Sequence, residues 1–336
     1  MEQLRQHGSL RRGVVWLIQI ALVLILCWAV FRTVDLARLV DALRQANFAL
    51  FALAVIPLVA ERIVRPYRLR VLFGGTIPFR DVVAAQSVSQ LVNLILPMRS
   101  GEVSLLVMLR ALGHASFSYA LSIVLIDRLL DVAIVLLIFA WAIVAVPDLP
   151  PAADKGAAVL AIACIGAIAG MLIASKFKQR VLATVERLLT RAIGGRAAGW
   201  HGRIEAVVDG FAVLSDPRKL GIASLATIVT WGLAAFASWL MLAAIWPNPP
   251  FAAVCLAICL ATIGSTLISV PAGIGIVHAA AMLAIVMFGA SQEVGLAFAV
   301  SAHAIVTVVT AIMGLVYLPI AQRLGLKIWR GEPPKS

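Results

Sequence analysis

Long apolar segments run through this chain, and they leave few folds open to it. Each approaches or exceeds the roughly 20 residues that a helix needs to cross the hydrocarbon core of a bilayer. In lipid, the backbone satisfies its hydrogen-bonding groups only within helices or closed barrels, so such runs predict spanning helices. The pattern predicts six spans: residues 14–31, 48–64, 119–146, 157–174, 221–246 and 295–320.

Two further apolar regions, residues 82–112 and 251–288, are interrupted by proline and glycine at 96–101 and 270–275. Proline ends a helix and glycine lets the chain turn back. The pieces on either side of each break are mostly too short to cross a bilayer, so we predict two re-entrant helical hairpins. If each region were counted as two full crossings, every loop would keep the side of the membrane that the re-entrant model gives it. Only the length of the helices therefore favours re-entry.

Charged residues predict the orientation. Three arginines precede the first span without a signal-peptide cleavage site, which indicates a retained helix with a cytoplasmic N-terminus. Loops near 147–154 and 246–250 are poor in lysine and arginine, whereas the stretch 176–219 and the tail 326–336 are basic. We therefore predict a multi-pass membrane protein with both termini in the cytoplasm.

The order of parts repeats. Residues 1–150 contain two spans, a broken hairpin and a third span, and residues 151–325 contain the same series starting from the opposite side. The predicted fold is therefore an all-α polytopic membrane protein, with about six transmembrane helices and two re-entrant hairpins in an inverted-topology repeat. In transporters of this plan, paired interrupted helices mark the substrate site.

Composition narrows the classes of partner. With 62% hydrophobic and only 13% charged residues, the chain is not an ordinary soluble domain. The net charge of +12 gathers at the ends of apolar spans, which indicates a membrane surface and not nucleic acid. The four cysteines lie in apolar spans without histidine or carboxylate neighbours, and no P-loop or hydrolase elbow is present. We expect neither a metal nor a cofactor.

The first break carries charge into the membrane, where an ionisable residue is a candidate functional group. Arg99 lies between the turn-forming Pro97 and Gly101, and Glu102 follows Gly101, three residues after Arg99. One hypothesis is a structural ion pair that holds the hairpin tip. The other is a substrate site in which Arg99 binds a phosphate while Glu102 positions it or accepts a proton.

The second break has no formal charge. Gly273 and Gly275, after Pro271, would let a ligand approach the backbone, and the following half-helix would offer amide donors to an anion. His278 lies one turn later and could donate to the same anion or titrate. It could equally be a hydrogen-bonded buried histidine.

The third span places Asp127 and Asp131 on one helix face, with Arg128 within reach of Asp131. These residues should face the interior, where they either lock helices together or line the substrate path and pair with Arg99. His303 occupies the equivalent place in the last span and should also point inward, with packing as its alternative role.

A basic group lies at the inner end of the second span, at Arg62, Arg65 and Arg68 beside Glu61. These arginines predict either positive-inside anchors or a rim that admits an anionic headgroup.

Four motifs in this order resemble the lysylphosphatidylglycerol synthase transmembrane-region family, also called flippase-like membrane proteins. They are Arg-Pro-Tyr-Arg-Leu-Arg, Asn-Leu-Ile-Leu-Pro-Met-Arg-Ser-Gly-Glu, Asp-Arg-Leu-Leu-Asp and Val-Pro-Ala-Gly-Ile-Gly-Ile-Val-His. The resemblance implies an inner-membrane protein that moves a lipid or a lipid-linked precursor between leaflets. The synthases append a soluble aminoacyl-transfer domain, which this sequence does not show after its last span, so we do not expect lysine transfer.

The expected function is therefore a lipid transporter, not an enzyme, that moves an anionic phospholipid or a polyprenyl-phosphate-linked lipid with its headgroup between the two broken tips. Two alternatives stay open. One is a membrane-embedded glycosyl or headgroup transferase with Asp127 or Glu102 as base, and the other is a non-catalytic scaffold for envelope assembly.

Overall fold

The computed structural model describes residues 34–96, 100–112, 116–147, 162, 166, 216–267 and 270–330. Within these ranges all regular structure is helical, which confirms the predicted all-α class. The helices are α1 Leu36–Arg44, α2 Phe48–Leu72, α3 Phe79–Ile95, α4 Ser100–Leu112, α5 Phe117–Val144, α6 Pro217–Ala243, α7 Phe251–Leu267, α8 Ile276–Met287 and α9 Gln292–Arg330. One 3₁₀ turn, Pro271–Gly273, lies between α7 and α8.

Side-chain caps explain where several of these helices begin. The Asn47 side chain accepts a hydrogen bond from Ala49 N at 3.1 Å before α2, and Ser116 accepts one from Tyr119 N at 3.1 Å before α5. Asp216 caps α6 by accepting from the backbone of Arg218 and Lys219. Such caps satisfy amide groups that have no partner within the helix.

Among the described residues, two helices are long and apolar enough to cross a membrane: α6 and the part of α9 from Gln292 to Arg323. A third span results if α1 and α2, which meet at 78°, are counted together. Helix α5 has 28 residues but carries three charged side chains in its middle. The predicted span 14–31 and nearly all of 157–174 lie outside the described residues, so the count of six stays a prediction.

Both predicted breaks are present. Helices α3 and α4, with 17 and 13 residues, flank the first, and α7 and α8, with 17 and 12 residues, flank the second. The two helices of each pair pack against each other. The structure therefore confirms two interrupted helix pairs, whereas their re-entry into one face of a membrane stays a prediction.

Packing between the two halves of the chain brings the breaks together. Helix α2 packs along α6, α3 packs on α9, and α5 packs on α7. The α3–α9 contact is close, because a Cβ added at Gly314 would lie 2.5 Å from the Leu91 Cβ. Helix α3 also contacts the 3₁₀ turn of the second break. These contacts surround the charged parts of α2, α4 and α5.

Candidate functional site

A buried ion-pair cluster joins α2, α5 and α6. Arg68 is 0% exposed, and its Nε lies 2.7 Å from Asp127 Oδ1 while its Nη1 lies 2.7 Å from Asp131 Oδ1. The same Nη1 donates to Thr227 Oγ1 of α6 at 3.1 Å. Asp127 and Asp131 share one face of α5 because they are four residues apart. Their predicted inward orientation is confirmed, since they are 1% and 7% exposed.

Arg65 extends this cluster by one helical turn. Its Nε donates to Glu61 Oε1 at 2.9 Å, and its Nη1 donates to Asp131 Oδ2 at 3.1 Å. Trp231 of α6 donates from its indole nitrogen to Asp131 Oδ1 at 3.0 Å, and the Arg65 guanidinium lies 5.9 Å from the centroid of that ring. Both Asp131 oxygens therefore accept from partners on other helices.

Arg128 connects the cluster to the first break. Its Nε lies 3.3 Å from Glu102 Oε2 of α4, in an ion pair without good hydrogen-bond alignment. Its Nη1 lies 3.7 Å from Asp131 Oδ2, which confirms the predicted reach between these neighbours on α5. Arg62 forms a further pair with Glu61 at 3.2 Å.

The cluster is balanced in charge. Four arginines face four carboxylates across α2, α4 and α5, and each arginine lies within 4.0 Å of at least one carboxylate. The members are Glu61, Arg62, Arg65, Arg68, Glu102, Asp127, Arg128 and Asp131. Isolated charges would be costly among apolar helices, whereas paired and hydrogen-bonded ones are tolerated.

A cavity of about 430 Å³ adjoins the cluster. Its wall contains Arg62, Arg65, Arg128 and Glu102, while Asp127 and Asp131 are absent from it. Both broken regions and parts of α2, α5, α6 and α9 also contribute to the wall. These further contributors include Gln86, Ser89, Gln90, Asn93, Leu96, Trp231, Thr262, Ser265, Ala272, Gly273 and Thr310.

A polar face of α3 forms one side of the cavity, and sequence reasoning missed it. Gln86, Ser89, Gln90 and Asn93 follow the spacing i, i+3, i+4, i+7 that places side chains on one helix face. That spacing within an otherwise apolar segment was the available signal. Thr227 and Trp231 were missed as well, and nothing in their local sequence marks them as partners of residues on α2 and α5.

At the first break, the backbone of α4 forms hydrogen bonds with side chains of α3. Gly101 donates its N–H to Asn93 Oδ1 at 2.8 Å, and its carbonyl accepts from Ser89 Oγ at 2.6 Å. Gly101 is buried against α3, as a close approach of two helices requires. Glu102 follows it into the cavity wall, whereas Pro97 and Arg99 lie outside the described residues.

At the second break, the backbone between α7 and α8 turns sharply beside the cavity. Gly273 has a φ of +71° and Gly275 one of +86°, which glycine adopts without strain. Ala272 also has a positive φ of 53°. Ala272 and Gly273 line the cavity, whereas the approach of a ligand to this turn stays a prediction. Pro271 begins the turn.

The two histidines lie together and are not among the residues that line the cavity. His278 and His303 stack with ring centroids 4.7 Å apart. The Gly275 N–H donates to His278 Nδ1 at 3.3 Å. His278 is half-buried, and this hydrogen bond is the structural role considered for it, whereas binding of an anion by His278 stays a prediction.

Arg68 differs from its predicted position on a basic rim. It is fully buried and paired with two aspartates, because α2 turns this face toward α5. Arg62 and Arg65 do line the cavity. The described residues contain no group of three or more histidine, cysteine, aspartate or glutamate side chains suited to a metal ion.

Apolar helices long enough to span a bilayer, with charged groups held inside the bundle, define a helical membrane protein. The family described as lysylphosphatidylglycerol synthase TM region matches residues 16–314, so the chain belongs to that family. Membership connects the chain to membrane-lipid function. Comparisons with curated proteins and with solved structures gave no match.

Proposed function

We propose that this chain is a lipid transporter of the cell inner membrane that moves an anionic lipid between leaflets. The headgroup occupies the cavity between the two broken regions while the acyl chains stay in the bilayer. The observation that carries this proposal is a cavity of about 430 Å³ with three arginines in its wall, inside a bundle of apolar helices. Ligand pockets commonly have volumes of about 300–1,000 Å³.

The charge count indicates a singly charged headgroup. The eight clustered side chains balance, and the sequence adds one more cation, Arg99, between Leu96 and Glu102, which both line the cavity. One additional positive charge suits one negative charge. A phosphodiester, as in an anionic phospholipid or a polyprenyl-linked precursor, carries that charge, and guanidinium groups bind phosphate oxygens well.

The packing between halves supports an inverted repeat. In the proposed correspondence, α2 matches α6, α3 and α4 match α7 and α8, and α5 matches α9. The first helix of each broken pair packs on the last helix of the other half, and the two matching helices α2 and α6 pack on each other. Such reciprocal contacts are expected when two inverted repeats surround one substrate site. Transporters that work by alternating access have this arrangement.

The test is lipid movement in liposomes that contain the purified chain and a labelled phosphatidylglycerol. For Arg99→Ala, we expect transfer between leaflets to fall at least about tenfold, since a charge-assisted contact to phosphate is lost. Arg323→Ala, at an exposed position on α9, serves as the control with unchanged transfer. Wild-type transfer by a folded Arg99→Ala variant would overturn the proposal.

The transferase alternative has one observation in its favour, which is the position of the Glu102 carboxylate in the cavity wall. Asp127 is less suited to act as a base, because it is 1% exposed and pairs with Arg68. Product formation from a lipid donor by the purified chain, lost in Glu102→Gln, would assign an enzyme. Normal envelope assembly with both Glu102→Gln and Arg99→Ala would favour a scaffold.

A further inference from the structure

Gln86 is a buried amide without a hydrogen-bond partner. It lies in the first half of α3 and is 3% exposed. Neither its Oε1 nor its Nε2 has a partner among the residues that the structure describes. Buried polar groups of native proteins are nearly always hydrogen-bonded, so this amide at a cavity is available to bind a group that enters the cavity, either a water molecule or part of a ligand.

The surroundings of Gln86 indicate which part of a ligand would reach it. Gln86 lines the main cavity and also a recess of about 10 Å³ beside it. The two spaces share Arg62, Arg65, Gln90 and Thr310. The recess has room for about one water-sized group, such as a hydroxyl.

The chemistry of the wall restricts that group further. Arginine only donates hydrogen bonds, so Arg62 and Arg65 suit the oxygens of an anion. The amide of glutamine both donates and accepts, so it suits a neutral group that does the same, as a hydroxyl does. A quaternary ammonium headgroup offers no such hydrogen bonds and would place a cation beside two arginines.

We infer that Gln86 is a specificity-determining residue that binds a hydroxyl of the headgroup, whose phosphate the proposed function assigns to Arg99 and which Arg62 and Arg65 also face from the cavity wall. The ligand is then a lipid phosphodiester with a hydroxylated headgroup, as in glycerol or sugar phosphates. This inference rests on the proposed function, because it assumes that the cavity binds the headgroup.

The experiment compares two lipids with the same charge. Phosphatidylglycerol and phosphatidylethanol are both phosphodiesters with one negative charge, but only the first has headgroup hydroxyls. Native mass spectrometry of the full chain measures which lipid is retained from an equal mixture. Phosphatidylcholine, which has no net charge, is the reference lipid. We expect wild type to prefer phosphatidylglycerol on the order of tenfold, because only this lipid can form hydrogen bonds with the buried Gln86 amide.

In Gln86→Met, which keeps the size of the side chain without its amide, we expect that preference to disappear while anionic lipids are still retained. The matched control is Thr230→Val. Thr230 is also buried with an unpartnered hydroxyl in the described structure, but it is not part of the cavity wall. Its replacement should leave the lipid preference unchanged.

Three results would overturn the inference. They are equal retention of both anionic lipids by wild type, an unchanged preference in Gln86→Met, and a similar loss of preference in Thr230→Val. A lowered melting temperature of lipid-free Gln86→Met would also contradict it, because removal of an unpartnered buried amide should not destabilise the protein. Retention of neither anionic lipid over phosphatidylcholine would instead contradict the proposed anionic headgroup site itself.

Discussion

Arg68 shows how a single buried charge organises this protein. Its side chain has no exposed surface, and its guanidinium contacts two carboxylates on α5 and a hydroxyl on α6. Glu61, Arg65 and Arg68 are spaced four and three residues apart, so they share one face of α2. That face is turned toward the aspartates of α5, so both arginines bind carboxylates inside the bundle.

The first prediction concerns this buried pair. Arg68→Met should lower the free energy of unfolding by roughly 3–5 kcal/mol, because it leaves Asp127 buried without its closest partner. Adding Asp127→Leu should recover much of that loss, since the remaining charges balance again. Denaturant unfolding in detergent measures both effects.

The control is Arg323→Met, because Arg323 is an exposed residue of α9. This substitution should change the free energy of unfolding little. Equal stability of Arg68→Met and wild type would mean that the pair is not important for the fold. Failure of the double variant to recover would show that Arg68 stabilises through Asp131 and Thr227 instead.

At the scale of helices, the contact between α3 and α4 depends on the absence of a side chain. Gly101 exchanges hydrogen bonds with Ser89 and Asn93, and a Cβ built on it would overlap the Ser89 carbonyl oxygen. Since Ser89 and Asn93 also line the cavity, this contact holds the polar face of α3 at the site. Helix packing and site geometry are therefore coupled at this break.

We therefore predict that Gly101→Ala separates α3 from α4. The expected result is a loss of stability of about 1–3 kcal/mol, as for overpacked interiors, together with weaker lipid retention. Thermal unfolding and native mass spectrometry measure the two effects.

Gly232→Ala on the exposed side of α6 provides the comparison. A Cβ there meets nothing within 4 Å, and alanine favours a helix by about 0.5–1 kcal/mol over glycine. The idea fails if both alanine variants behave alike.

At the largest scale, both described halves of the chain contribute to the wall of the main cavity. The first helix of each broken pair lies against the last helix of the other half, so neither half forms the cavity wall alone. Loop charges do not separate a re-entrant hairpin from two full crossings, because both place the flanking loops on the same side. The depth of the hairpin tip is the property that differs.

Labelling measures that depth. We predict that Ile95→Cys, in a chain whose native cysteines are replaced by alanine, resists a membrane-impermeant maleimide added from the outer face. Ile95 ends α3 with 63% of its surface exposed, so a re-entrant tip would place it in lipid. Asn248→Cys, on the exposed turn after α6, should react. Equal reaction of both positions would indicate two full crossings.

Much of the helical architecture could be predicted from local sequence. Apolar runs predicted the helices, proline and glycine predicted both breaks, and the four-residue spacing of Asp127 and Asp131 predicted a shared inward face. These features depend on backbone geometry and on burial of one helix face, which neighbouring residues largely determine. The spans that fall outside the described residues remain predictions of this kind.

Which charged and polar groups meet depends on how the helices pack. Arg68 and Asp127 are 59 residues apart in sequence, and Trp231 and Asp131 are 100 apart. Periodicity tells which face of a helix a side chain occupies, but the partner of that face depends on how distant helices pack. For the same reason, the charges at the second span joined the aspartates of the third, and the polar face of α3 became a cavity wall. Local sequence was therefore enough to predict the described helices and their breaks, whereas the site depends on contacts between helices that are far apart in the chain.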